Sequence, residues 1–131
     1  MSRIMVVDDD KKRLVATSEF LGSCGYEVVS VEDVAEAYGL ICSRRFDLVL
    51  TAFIKSNQGG MWLLRDVLEL DVSVRPRVII WQAPKVEALA KEAWKSGTTF
   101  LAEESGYNKG ALLQEIRRRL ALPVVGVPIA E

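Results

Sequence analysis

"RIMVVDDD", residues 3–10, decides how the rest of the chain is read. A short apolar run, Ile4 to Val7, stops abruptly at Asp8, Asp9 and Asp10. Apolar residues in an unbroken row, bounded by charge, read as a strand buried on both faces. From Lys11 the period changes. Leu14, Val15, Phe20 and Leu21 fall on one side of a helix that ends near Cys24-Gly25, and Gly25 suits a left-handed cap. Asp10 then stands where a helix N-cap belongs.

The same alternation continues down the chain. "YEVVS" (26–30) is a second strand, and Val34, Ala37, Tyr38 and Ile41 stripe a second helix with Arg44 and Arg45 in its last turn. "FDLVLT" (46–51) is a third strand, followed by a loop and a helix from Trp62 to Leu70. "RVIIWQ" (77–82) is a fourth strand; Val86, Leu89, Ala90, Ala93 and Trp94 stripe a fourth helix. "TTFLA" (98–102) is a fifth strand, and Leu113, Ile116 and Leu120 stripe a fifth helix ending in "RRR" (117–119). Strands this apolar, alternating with helices, imply an α/β fold: a doubly wound five-stranded parallel sheet covered on both faces. Residues 1–121 make the domain. Residues 122–131, with Pro123 and Pro128, are an extended C-terminal tail or linker stub.

Bulk composition excludes several function classes. The 131 residues fit one domain and bury a core without a metal or disulfide staple. A net charge of −1 gives no electrostatic footprint for nucleic acid, and no apolar run reaches the length of a membrane span. The chain has no histidine, which removes Ser-His and Cys-His nucleophile pairs and His-ligated metals. Cys24 and Cys42 match no zinc spacing and read as reduced, buried or half-buried thiols of a cytoplasmic protein.

"IMVVDDD", "GYEVV", "FDLVL", Gly60 and "SGTTFLA", in this order and spacing over residues 3–120, resemble the receiver domains of bacterial two-component response regulators. The resemblance implies the flavodoxin-like (βα)5 fold and a phosphorelay role. It also implies a magnesium ion held by acids after the first strand and by an aspartate after the third. That aspartate accepts a phosphoryl group from a histidine kinase. A Ser or Thr after the fourth strand and a Lys after the fifth bind the phosphoryl oxygens, and an aromatic on the fifth strand switches the face formed by the last two helices and that strand.

Position by position, Asp8 and Asp9 match the acid pair and Phe100 the switch aromatic. Ala52 stands at the phosphoacceptor position, Gln82 at the Ser/Thr position and Glu103 at the Lys position, while Lys55-Ser56 replaces the usual Met-Pro. Alanine offers no nucleophile. A hard cation loses one of its carboxylates. Glu103 repels phosphate, since like charges about 4 Å apart cost on the order of 4 kcal/mol at an effective dielectric of 20. Three simultaneous departures describe a degenerate site. Thr51, one residue before Ala52, alternates to the opposite face; Ser56 lies in the following loop.

Three fates are open to the leftover acids. They are solvated or cap the first helix; or Lys55 or Lys85 swings in as a pocket neutraliser; or Asp8, Asp9 and Glu103 hold a divalent cation. Trp81 alternates with Gln82 and is expected to point away from the site edge, whereas Trp62 is the best candidate for an exposed contact beside it. Trp94 is a further interface candidate, and the arginines at 117–119 read as a dipole match on a solvated face.

The sequence therefore predicts a pseudo-receiver, not an enzyme, acting by phosphorylation-independent protein–protein interaction. It needs no cofactor, and magnesium binding is expected to be weak or absent. A kinase or an output domain is the implied partner class, with a homodimer through the last two helices and fifth strand as a further use of that face. The alternatives are a receiver-fold sensor of a cation or other ligand at the acidic pocket, and a small flavodoxin-like nucleotide binder. Against the last, three aspartates stand where a Gly-rich phosphate loop would be.

Overall fold

The computed structural model describes residues 2–52, 59–83, 91, 99–102 and 109–121, with side chains at 2–52, 62–81, 91 and 109–121. Five parallel strands form one sheet in the order β2-β1-β3-β4-β5. They are β1 (Arg3–Val7), β2 (Glu27–Val31), β3 (Leu48–Ala52), β4 (Arg77–Ala83) and β5 (Thr99–Ala102). Helices α1 (Lys11–Ser23), α2 (Val34–Ser43) and α3 (Gly59–Leu68) alternate with them, and α4 (Lys109–Leu120) closes the described chain. The fourth helical stripe of the sequence, including Trp94, lies outside the described residues, as does the tail from 122.

Period-two alternation within the strands splits the core into two clusters, one on each face of the sheet. Met5, Val7, Val49, Val78 and Ile80 face α2 and α3; Ile4, Val6, Leu48, Leu50, Ile79 and Trp81 face α1 and α4. Every residue of β3 is buried, which is what an unbroken apolar run demands of a central strand. Fully burying one such Leu or Ile contributes roughly 1.5–3 kcal/mol, so these two layers hold the fold.

The helix ends follow local chemistry. Asp10 caps α1, its carboxylate accepting from the Arg13 N–H at 3.1 Å. Asp33 caps α2 in the same way, accepting from the Ala35 N–H at 2.6 Å. Gly25 terminates α1 at φ 95°, a backbone state that an L side chain enters only with strain. Beyond α3, the Arg75 guanidinium donates to the Leu70 and Leu68 carbonyls, each at 2.7 Å, and so satisfies the end of that helix.

Four side chains stand differently from their expected places. Val15 is 53% exposed, and Thr17 takes the inward position between Leu14 and Leu21. Adjacent residues lie about 100° apart on a helix, so Leu14 and Val15 cannot share the core stripe. In α4 the buried stripe is Leu112, Ile116 and Arg119, with Leu113 only half-buried. Arg119 is therefore not part of a solvated face: it is 2% exposed, and burial lowers its pKa. Cys42 is exposed, while Cys24 is half-buried as expected.

Candidate functional site

The strand order reverses at β1, whose neighbours are β2 and β3. The crevice beyond the carboxyl ends of β1 and β3 is thus the topological switch point, where α/β sheets place ligands. Val7 pairs with Thr51, so the next residues, Asp8 and Ala52, emerge side by side at that edge. Ala52 pairs with Trp81 on β4. Ala52 and Trp81 belong to the α1/α4 cluster, and Asp8 alternates to the same side.

Asp8 is fully buried. The Arg13 guanidinium grips it with two donors, Nε to Oδ2 at 2.5 Å and Nη2 to Oδ1 at 2.8 Å. The Asp10 N–H donates to Oδ1 at 2.9 Å. Both carboxylate oxygens are thereby engaged. Arg13 lies with its guanidinium carbon 6.0 Å from the Trp81 ring centroid, within the range of a cation–π contact. The hydrogen bonds to Asp8 raise the pKa of Arg13 against an opposing effect of burial. Asp8, Arg13 and Trp81 thus form a compact neutral unit packed next to the Ala52 methyl group.

Arg13 was not singled out by sequence, yet a signal for it exists. It occupies the first turn of α1, a turn with no acidic residue. A cation there opposes the helix dipole, so it needs a nearby anion. Asp8, just ahead of the helix, supplies it.

The other expected residues are distributed as follows. Asp9 is exposed, and Asp10 caps α1. Thr51 is buried and donates to the Ala52 carbonyl at 3.2 Å. Trp81 does not turn away from the site edge, because β4 aims it at the α1 side where Arg13 covers it. Gln82 and Phe100 lie on β4 and β5; Phe100 pairs with Ile80, and the β4–β5 register shifts between Ile80 and Ala83, around Gln82. Lys55, Ser56, Lys85 and Glu103 lie outside the described residues. Trp62 is 53% exposed, as expected. Arg118 donates to both oxygens of Glu115, from Nε at 3.0 and 3.1 Å, within its own helix.

The response regulator receiver domain model matches residues 4–102. The chain belongs to this family. Receiver structures superpose over nearly the whole length. A two-component response regulator from Clostridium difficile has a TM-score of 0.78 at 20% identity, covering 92% of this chain and 96% of that one. The chemotaxis response regulator CheY4 of Vibrio cholerae gives 0.76 at 21%, covering 90% and 98%. A CheY-like receiver domain protein from Methanospirillum hungatei gives 0.76 at 22%, covering 92% and 94%. No curated protein sequence matches. Identities this low speak for the fold alone.

The magnesium ion that a receiver implies does not fit the residues described at this edge. A hard divalent cation needs several free oxygens in one place. Here the Asp8 oxygens are occupied by Arg13 and the Asp10 N–H, and position 52 supplies a methyl group. Among the described residues no group of three or more Cys, Asp or Glu side chains is placed to hold a metal ion. Among them, too, no helix is long and apolar enough to cross a membrane.

Proposed function

We propose that this receiver domain is an atypical one, a pseudo-receiver that signals through phosphorylation-independent protein–protein contacts and carries out no catalysis. Residues 1–121 form the receiver unit. Ala52, Gln82 and Glu103 are the degenerate phosphorylation site, and Asp8 and Asp9 are what remains of its acid pocket. The single observation that supports this reading is the Arg13–Asp8 pair beside Ala52. In place of a cation's charge, Asp8 has the Arg13 guanidinium. It supplies positive charge in a fixed, bidentate geometry, so the carboxylate is satisfied without magnesium, and magnesium binds weakly or not at all.

The consequence is a receiver whose site is held in one state. In the ordinary family mechanism a phosphoryl group and a cation together shift an equilibrium between two conformations. A ligand shifts such an equilibrium only by its difference in affinity for the two states. With no acceptor and an internally neutralised acid, phosphoryl donors have no handle on this chain. Its partner, a kinase or an output domain, then reads a constitutive surface in a cytoplasmic signalling pathway.

Incubation with acetyl phosphate and magnesium, followed by intact mass, tests this. An unchanged mass is expected. Addition of a phosphoryl group to the native chain would overturn the reading.

A further inference from the structure

The exposed ring of Trp62 forms part of a groove of about 610 Å³ on the opposite side of the sheet from the Asp8–Arg13 pair, between the start of α2 and α3. Tyr38 of α2 and Trp62 of α3 give it aromatic walls, and Asp9, Glu32, Asp33 and Asp66 supply its charge. The chain as a whole carries 17 basic and 18 acidic residues, yet among the described residues no Lys or Arg lines this groove. Asp33 uses one oxygen to cap α2. Among the described residues Glu32 is met by the Lys11 ammonium, at 3.9 Å on a side chain that is 78% exposed. Asp66 lies one helical turn after Trp62, on the same face of α3.

These acids are spread along a wide trough. Among the described residues no three of them converge tightly enough to chelate a metal ion. A small cation would also leave the Tyr38 and Trp62 rings facing water. Phosphate-bearing ligands are repelled by four carboxylates. What matches both the charge and the aromatic walls is an extended partner with cationic heads on apolar stems. Lys and Arg side chains have that form, and their heads gain from lying over Trp or Tyr rings.

We propose that this groove docks a basic amphipathic segment of a partner protein, with a Lys or Arg side chain laid over Trp62 and met by Asp66 and Asp9. The inference rests on the reading that the chain works through protein contacts, and it names the surface and the chemistry of the partner. The pull of Asp66 on Tyr38, whose pKa is raised chiefly by its hydrogen bond with Cys42 and in smaller part by Asp66 and Glu69, fits a negative potential along the groove.

The test uses the full chain, amide NMR and a blocked helical peptide of Lys and Leu, with a Glu-for-Lys version as control. Saturable shifts are expected at Val34 to Tyr38 and at Trp62 to Asp66 with the Lys peptide and not with the Glu peptide. Trp62→Ala and Asp66→Asn should each weaken binding at least fivefold while the thermal melt confirms that each variant is folded. Failure to saturate, saturation on another face, or a loss with only one of the two variants overturns the inference. If the peptide fails while acetyl phosphate still adds no mass, only the groove is refuted. If mass is added, the phosphorylation-independent reading falls on its own terms.

Discussion

Replacing Arg13 with alanine isolates the interaction on which the site depends. Asp8 is fully buried, and the variant removes two of its three described hydrogen-bond donors, leaving the Asp10 N–H. Deleting one partner of a buried ion pair typically costs about 3–5 kcal/mol, because the other charge stays behind unpaired. The Arg13 side chain is 27% exposed, so water already reaches one half of the pair. That screening lowers the figure to about 2–3 kcal/mol. Losing the guanidinium over Trp81 adds about 0.5–1 kcal/mol. The sum, about 3 kcal/mol, is a large share of the roughly 5–15 kcal/mol by which a domain is stable. At about 2.1 cal/mol/K per residue, this chain's unfolding entropy converts the loss into a fall in Tm of about 10 °C. Urea unfolding followed by tryptophan fluorescence should show the midpoint falling at constant m. Adding Asp8→Asn to Arg13→Ala should recover part of the loss, since no charge is then stranded. A loss below about 1 kcal/mol, or single and double variants that add within about 0.5 kcal/mol, would mean that Arg13 does not hold a buried charge at Asp8.

The remaining predictions concern the same edge and the α2 face. Ala52→Asp should lower stability by about 2–4 kcal/mol, because it buries a second carboxylate next to one that already holds the Arg13 fork. Combining it with Arg13→Ala should create a magnesium-dependent rise in Tm, with none expected for the native chain, measured by thermal melts with and without the ion. Asp10→Ala should cost about 1 kcal/mol in urea melts by uncapping α1, whose first turn has no other acid. Tyr38 should titrate above the ordinary tyrosine range by ultraviolet absorbance in a Tyr26→Phe, Tyr107→Phe background, and Cys42→Ala should bring it back down. Since its folded pKa is raised, its contribution to stability is complete below the ordinary value and is lost as pH rises through the folded one.

The fold was legible because the strands are short, mostly apolar runs and the first helix carries recognisable end residues. Asp10 and Gly25 mark the ends of the first helix by local chemistry alone, and both are found in those roles; Asp33 caps α2 without having been read from the sequence. The order of strands in the sheet follows from alternation of β and α units plus the family resemblance. Helix faces were less legible. A stripe that includes both Leu14 and Val15 cannot close on one core, and the structure exposes Val15 and turns Thr17 inward. Arg119 sits seven residues after Leu112, hence on the same face, and its long stem lets an ionised residue enter a buried row.

At the site, Asp8 and Ala52 were legible from position, since the strand register Val7 to Thr51 places them together. The neutralising cation was sought among the loop lysines, Lys55 and Lys85, which lie outside the described residues. Arg13 supplies that charge from inside the first helix. Its reach back to Asp8 depends on rotamer and on the Trp81 surface beneath it, neither of which periodicity encodes. The acidic groove was half legible. Trp62 was expected to be exposed, but the union of Asp9, Glu32, Asp33 and Asp66 around it needs the α2–α3 packing that only the tertiary fold provides.

Whether Arg13 locks the site is read most directly from its own Nε–H signal. In the ¹⁵N spectrum of the native chain, a guanidinium locked onto a buried carboxylate should give a resolved Nε–H resonance protected from solvent exchange. This resonance is expected neither to move nor to lose protection when magnesium and acetyl phosphate are added together at millimolar concentration. Loss of the resonance on their addition, with shifts at Asp8 and Ala52, would mean that a cation or phosphoryl group displaces Arg13 and that the site is not locked.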